Sequence, residues 1–142
     1  MKKGEDFTGI SVVFFCHDGK GNVLLQKRGA NSRDEQGRWD CGGGALEFGD
    51  SVIHTLEKEI KEELMADVLN YEFLGYRDVH REKDGKQTHW IALDFKVLID
   101  PKQSGNGEPH KFDEVSWFPL KALPSPMHSQ WDKFFEAYKN IL

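Results

Sequence analysis

Residues 43–64 read Gly43-Gly44-Ala45-Leu46-Glu47-Phe48-Gly49-Asp50-Ser51-Val52-Ile53-His54-Thr55-Leu56-Glu57-Lys58-Glu59-Ile60-Lys61-Glu62-Glu63-Leu64. At about 100° per residue, Glu59, Glu62 and Glu63 share one arc of a helix. Ile53, Leu56, Ile60 and Leu64 share the neighbouring arc, the pattern of a buried stripe. Like charges at this spacing oppose helix formation by roughly a few tenths of a kcal/mol per pair. On the helix alone two readings are open. The glutamates form a solvated acidic face, or a hard divalent cation turns their repulsion into binding, since Mg²⁺ and Mn²⁺ prefer carboxylate oxygens.

The residues before the helix favour the cation. Gly42-Gly43-Gly44 precedes it and Gly49-Asp50-Ser51 marks its start. Glycine lets backbone approach a ligand closely and tolerates positive φ. Asp50 or Ser51 can cap the first turn. A glycine turn packed on a carboxylate-bearing helix can hold a cation and a phosphate side by side.

This stretch resembles the signature of the Nudix (MutT-like) hydrolases. Read from Gly44, Asp50 stands at the first acidic position and Lys58 at the arginine position, followed by Glu59, Ile60, Lys61, Glu62, Glu63 and Leu64. Asp50, Lys58, Met65 and Ala66 depart from the pattern, where the family has Glu, Arg, Gly and a larger aliphatic residue. Trp39-Asp40 before the box and Glu114 to Leu120 after it also look like family features, so the resemblance spans most of the chain. It implies an α/β/α sandwich: a mixed sheet, one catalytic helix and a C-terminal helix. It also implies hydrolysis of a phosphoanhydride in a nucleoside diphosphate linked to another moiety, with Mg²⁺ or Mn²⁺ as cofactor.

The residues can supply that chemistry. Cations gathered by carboxylates polarise phosphoryl oxygens and acidify bound water; a nearby carboxylate removes the remaining proton. Glu59 and Glu63 are i,i+4 neighbours and the best metal pair, with Glu62 as third ligand or base. The roles of Glu59 and Glu62 in catalysis stay open between ligand and base. The resemblance adds the Gly43 carbonyl as a ligand and assigns Lys58 the task of orienting a box glutamate, although lysine lacks the planar fork of arginine. Gly43 and Gly44 form the phosphate-facing wall. Arg28, at the end of a strand, is placed near phosphates by the resemblance, and Glu47 within the box loop is a further substrate contact. Glu108, His110, Asp113 and Glu114 lie where some family members carry an extra ligand or base. His17, His54, His80, His89 and His128 show no ligand spacing. Trp39, Trp90 and Phe48 can stack on a base, with core packing as the competing role.

With 142 residues the chain is expected to form one domain, residues 1–142, with room for a core. A net charge of −5 argues against a nucleic-acid polymer as partner, which needs a basic footprint. A small nucleotide-like diphosphate is the expected partner, and a homodimer is left open. Cys16 and Cys41 are too few for a disulfide framework, so reduced thiols and a cytoplasmic location are expected. Neither a signal peptide nor a membrane-spanning helix is expected, for want of a long apolar run.

Residues 9–16 read as a buried strand, 17–22 as a hairpin turn and 23–27 as the return strand. Residues 28–38 read as loop, 39–47 as a short strand entering the glycine turn, and 51–65 as the box helix, whose end lacks the usual αL glycine. Residues 71–82 and 87–98 read as two long strands joined at Asp84-Gly85. Residues 100–111 read as loop and 114–118 as a strand. Residues 129–141 read as a helix, with Trp131, Phe134, Phe135 and Tyr138 as a core stripe. Two functions compete: a hydrolase, or a catalytically weakened nucleotide-binding or regulatory module on the same fold. An isoprenoid or inositol diphosphate is a weaker, non-nucleotide option.

Overall fold

The computed structural model describes residues 1–142. Seven strands join in one mixed sheet: β1 (Gly9–His17), β2 (Asn22–Arg28), β3 (Trp39–Asp40), β4 (Gly43–Ala45), β5 (Asn70–Lys83), β6 (Lys86–Leu98) and β7 (Phe112–Pro119). The sheet order is β3-β2-β1-β6-β5, with β4 added on β1 and β7 on β2. Only the β1–β6 pairing is parallel. Helix α1 (Val52–Leu64) lies between β4 and β5, and α2 (Trp131–Tyr138) ends the chain.

Alternation along the strands splits the core in two. Val12, Phe14 and Cys16 of β1 pack with Phe95 and Val97 of β6 against Leu56, Ile60 and Leu64 of α1. Phe15 of β1 joins Val23, Leu25 and Trp39 against Trp131, Phe134 and Tyr138 of α2. The sheet is thus sandwiched between the helices, and the aromatic stripe of α2 is core. Trp39 packs edge-on against Phe118 at 4.9 Å. Phe48 is fully exposed.

Two expected elements differ. The single strand over 39–47 is two short strands with different neighbours: β3 pairs with β2, and β4 pairs with β1. Gly42, at φ +114, makes the break, and a side chain there would strike Phe14 and Gln26. The last helix covers Trp131–Tyr138 rather than 129–141; Gln130 is its N-cap and forms no side-chain cap bond. The box helix runs 52–64. Ser51 is its N-cap, its side chain accepting from the His54 N–H at 3.1 Å. Its end is made by Met65, which itself takes the αL conformation (φ 56°, ψ 31°) that glycine usually supplies.

The loop after β6 completes that end. The Gly105 N–H donates to the Leu64 carbonyl at 2.8 Å and the Gly107 N–H to the Glu63 carbonyl at 2.9 Å. Carbonyls that a helix end leaves unpaired are satisfied in this way. A Cβ on Gly107 would sit 2.0 Å from the Glu62 carbonyl, so only glycine fits. This close docking carries Glu108 to the helix.

Candidate active site

Turn and helix meet at Gly44. A side chain there would lie 2.5 Å from the Glu59 carboxyl carbon, so the glycine makes room for that carboxylate. Gly43 is tied to Val13 in the β1–β4 ladder, and a Cβ on it would meet the Val12 carbonyl at 2.5 Å. The triple glycine is therefore a packing requirement on both sides of the turn.

Glu63 is only 5% exposed, and its Oε2 has no hydrogen-bond partner. Such an orphaned buried acceptor costs about 1–3 kcal/mol, more when charged. Burial pushes its carboxyl well above the usual range, and the charges of Glu59 and Glu108 push it further. Glu59 is raised as well, by burial first and then by Glu62 and Glu108. Beside Glu63 lies Gln26 of β2, fully buried; its amide offsets a little of the rise at Glu63, yet neither of its side-chain polar atoms has a partner at full hydrogen-bond geometry. Three unpaired polar atoms under one glycine turn mark a built polar pocket. An oxygen donor set with excess negative charge fits a hard divalent cation.

The site opens into a cleft of about 1180 Å³, room enough for a nucleotide-sized ligand. Gly43, Gly44, Glu47, Lys58, Glu59, Glu63 and Arg28 all line it. Glu62 is exposed and lies outside the lining, acting on the site through its charge on Glu59. Of the four late-loop candidates only Glu108 lines the cleft. Glu114 instead accepts from the Ser116 hydroxyl, and Asp113 packs by Gly29.

Lys58 has Asp50 as its ion-pair partner, 3.8 Å away. Two of the departures from the family pattern are therefore neighbours: a shorter acid faces a lysine. Arg28 is held by Asp34, with its Nε donating to the backbone carbonyl at 2.8 Å and a second nitrogen to Oδ1 at 3.0 Å. Glu47 accepts from the Lys3 ammonium.

Apart from Trp90, already named as able to stack on a base, the opposite wall comes from residues that the sequence motifs do not single out. Arg77, Val79 and Arg81 alternate along β5 and face the cleft with Thr88, Trp90 and Ala92 of β6. Arg77 is anchored by Asp94, donating to both carboxylate oxygens at 2.7 and 2.9 Å, and the Tyr138 hydroxyl donates to the same carboxylate at 2.7 Å. Arg81 is drawn to Asp34 and Glu35 at 3.3 and 3.0 Å. The clue to this wall was the period of 2 in 77–81. Gln26 gave no such clue, because it stands beside Lys27 and Arg28 at the polar end of β2.

Comparison with known proteins agrees with this geometry. Residues 8–138 match the NUDIX domain family model. The chain is 30% identical over 133 residues to the CTP pyrophosphohydrolase of Escherichia coli (strain K12), covering 91% of this chain and 90% of that protein. Among solved structures it resembles a MutT NUDIX hydrolase from Burkholderia pseudomallei, with a TM-score of 0.80 and 23% identity over 93% of this chain and 98% of that one. It also resembles the NUDIX domain of Shewanella oneidensis NrtR complexed with ADP ribose, with a TM-score of 0.73 and 18% identity over 99% and 89% of the two chains.

Proposed function

This chain belongs to the Nudix family, and on that premise we propose that it hydrolyses a phosphoanhydride bond in a nucleoside diphosphate linked to another moiety, using Mg²⁺ or Mn²⁺. The observation that carries the reading is the buried, unpartnered Glu63 oxygen beside Glu59, under the glycine turn. A folded chain keeps such an uncompensated acceptor where a ligand completes it.

Glu59 and Glu63 would hold the cation, with Glu62 and the Gly43 carbonyl as further ligands. When bound, the cation polarises phosphoryl oxygens and acidifies water. Gly43 and Gly44 let the diphosphate approach the backbone without steric conflict. Arg28, Arg77 and Arg81 carry positive charge for its outer oxygens; in the free protein Asp34, Glu35 and Asp94 hold those guanidinium groups in place. Glu59 or Glu62 accepts the proton of the attacking water, and Glu108 adds a further carboxylate at the same point. The Lys58 ammonium favours the charged form of Glu59, opposing the rise caused by burial and Glu62.

The test is phosphate release from nucleoside triphosphates, oxidised purine nucleotides, ADP-ribose and nucleotide sugars with Mg²⁺ and with Mn²⁺. On the best substrate, Glu59→Gln and Glu62→Gln each lower kcat by about 10²–10⁴, with circular dichroism unchanged. Equal activity in both variants would move the chemistry to Glu108. Calorimetric binding of a nucleotide without turnover across the panel would replace hydrolysis by a binding or regulatory module.

A further inference from the structure

The histidines show no ligand spacing along the chain, yet the sheet brings two of them together. His80 of β5 and His89 of β6 are directly paired across the hairpin. Asp78 stands two residues before His80, on the same face of the strand. One ligand atom from each of Asp78, His80 and His89 lies within 4.8 Å of the others. The two rings stack at 4.2 Å with 19° between their planes. His89 Nε2 is 2.9 Å from Asp78 Oδ1, and its Nδ1 is 3.3 Å from the Thr8 hydroxyl.

We propose that Asp78, His80 and His89 form a second metal site, for a borderline divalent cation of the Zn²⁺, Co²⁺ or Ni²⁺ class. Two imidazoles and one carboxylate select such ions over Mg²⁺, which prefers oxygen donors alone. The cation takes the place of the proton between His89 Nε2 and Asp78. Thr8 then accepts from Nδ1–H and fixes the ring, the outer hydrogen bond that ligating histidines make. Solvent completes the coordination, because Asp78 and His80 are exposed and His89 is half-buried.

This site is separate from the glutamates and stands whether or not the chain hydrolyses anything. Its place gives it a consequence. On the other face of the same strands, Val79, Arg81, Thr88 and Trp90 line the cleft. A cation joining β5 to β6 at 78–89 ties together the two strands that form this wall.

The test is Zn²⁺ titration of the full chain carrying Glu63→Gln, which weakens the box as a competing site. Binding is followed by calorimetry and by the ring resonances of the six histidines. The expected result is one tight Zn²⁺ site, with the His80 and His89 ring signals displaced and the other four unmoved. His80→Ala and Asp78→Asn should each weaken that site at least tenfold. His80 is exposed, so its replacement leaves the fold intact, checked by circular dichroism. Zn²⁺ affinity within twofold of the parent in both variants, or unmoved His80 and His89 signals at saturation, overturns the assignment.

Discussion

Replacing Glu63 by Gln should stabilise the cation-free protein at alkaline pH while removing its response to Mn²⁺. Glu63 is nearly fully buried, its Oε2 has no partner, and Glu59 and Glu108 lie close enough to disfavour its charge. The folded-state pKa is therefore raised well above the ordinary 4.5. Between those two values the native state keeps a proton that the unfolded state has lost. Stability is fully present below the unfolded pKa and falls as pH rises through the folded one. Glu59, raised in the same direction, adds to the fall. An amide at 63 has no charge to bury, so most of the slope disappears. Removing that buried charge, with an amide N–H at 63 able to pair with the unpaired Gln26 oxygen, is worth about 1–3 kcal/mol. For a chain of this size that corresponds to roughly 3–9 °C in Tm. Saturation with Mn²⁺ at a hundredfold excess over Kd should raise the parent by about 2.7 kcal/mol and the variant by little. Thermal melts at pH 5 and pH 8, with chelator and with Mn²⁺, read all of these effects. A variant no more stable than the parent at pH 8 in chelator would refute the burial argument. An unchanged Mn²⁺ shift would remove Glu63 from the metal site.

Met65→Gly should raise stability by about 0.5–1 kcal/mol, because a left-handed methionine costs about 1–2 and glycine's extra chain entropy takes back part of that; Met65 is half exposed, so little packing is lost, and a lower Tm would mean its contact beside Gly105 matters more. Lys58→Arg should keep or raise kcat, since a fork reaches Asp50 and the box glutamate better than a point charge; a tenfold fall, about 1.4 kcal/mol in barrier, would show a site adapted to lysine. Asp94→Ala should cost about 3–5 kcal/mol in urea unfolding, because it strips Arg77 and Tyr138 of their shared partner and leaves a largely buried cation; a loss under 1 kcal/mol would show that solvent or another acid replaces Asp94.

Much of the candidate site was legible from residues 43–64 because helices and glycine turns report locally. The spacing of Glu59, Glu62 and Glu63 sets their shared arc wherever the helix packs, and Ile53, Leu56, Ile60 and Leu64 say which side is buried. The hairpins at 17–22 and 84–85 were equally local, since a short turn announces itself in its own residues. The ends were less legible. With no αL glycine at Met65 the helix end was not legible, and methionine itself takes that conformation, while Gly105 and Gly107 cap carbonyls some forty residues away in sequence.

What only the tertiary structure decided depends on which strands lie side by side. Residues 39–47 divide into two strands because they pair with two different strands, β3 with β2 and β4 with β1, with the Gly42 turn between. Burial separates the three glutamates, hiding Glu63, half-covering Glu59 and leaving Glu62 in solvent; no helical wheel could rank them without the sheet beneath. Glu108, Arg77 and Arg81 reach one cleft from two distant segments, Gln26 is buried beside Glu63, and His80 meets His89 only through the β5–β6 register. Periodicity is a property of one segment, whereas register and burial are properties of its neighbours. The sequence by itself therefore determined most of the elements, the carboxylate helix among them, and the packing of the sheet decided where 39–47 breaks and which charges face one another.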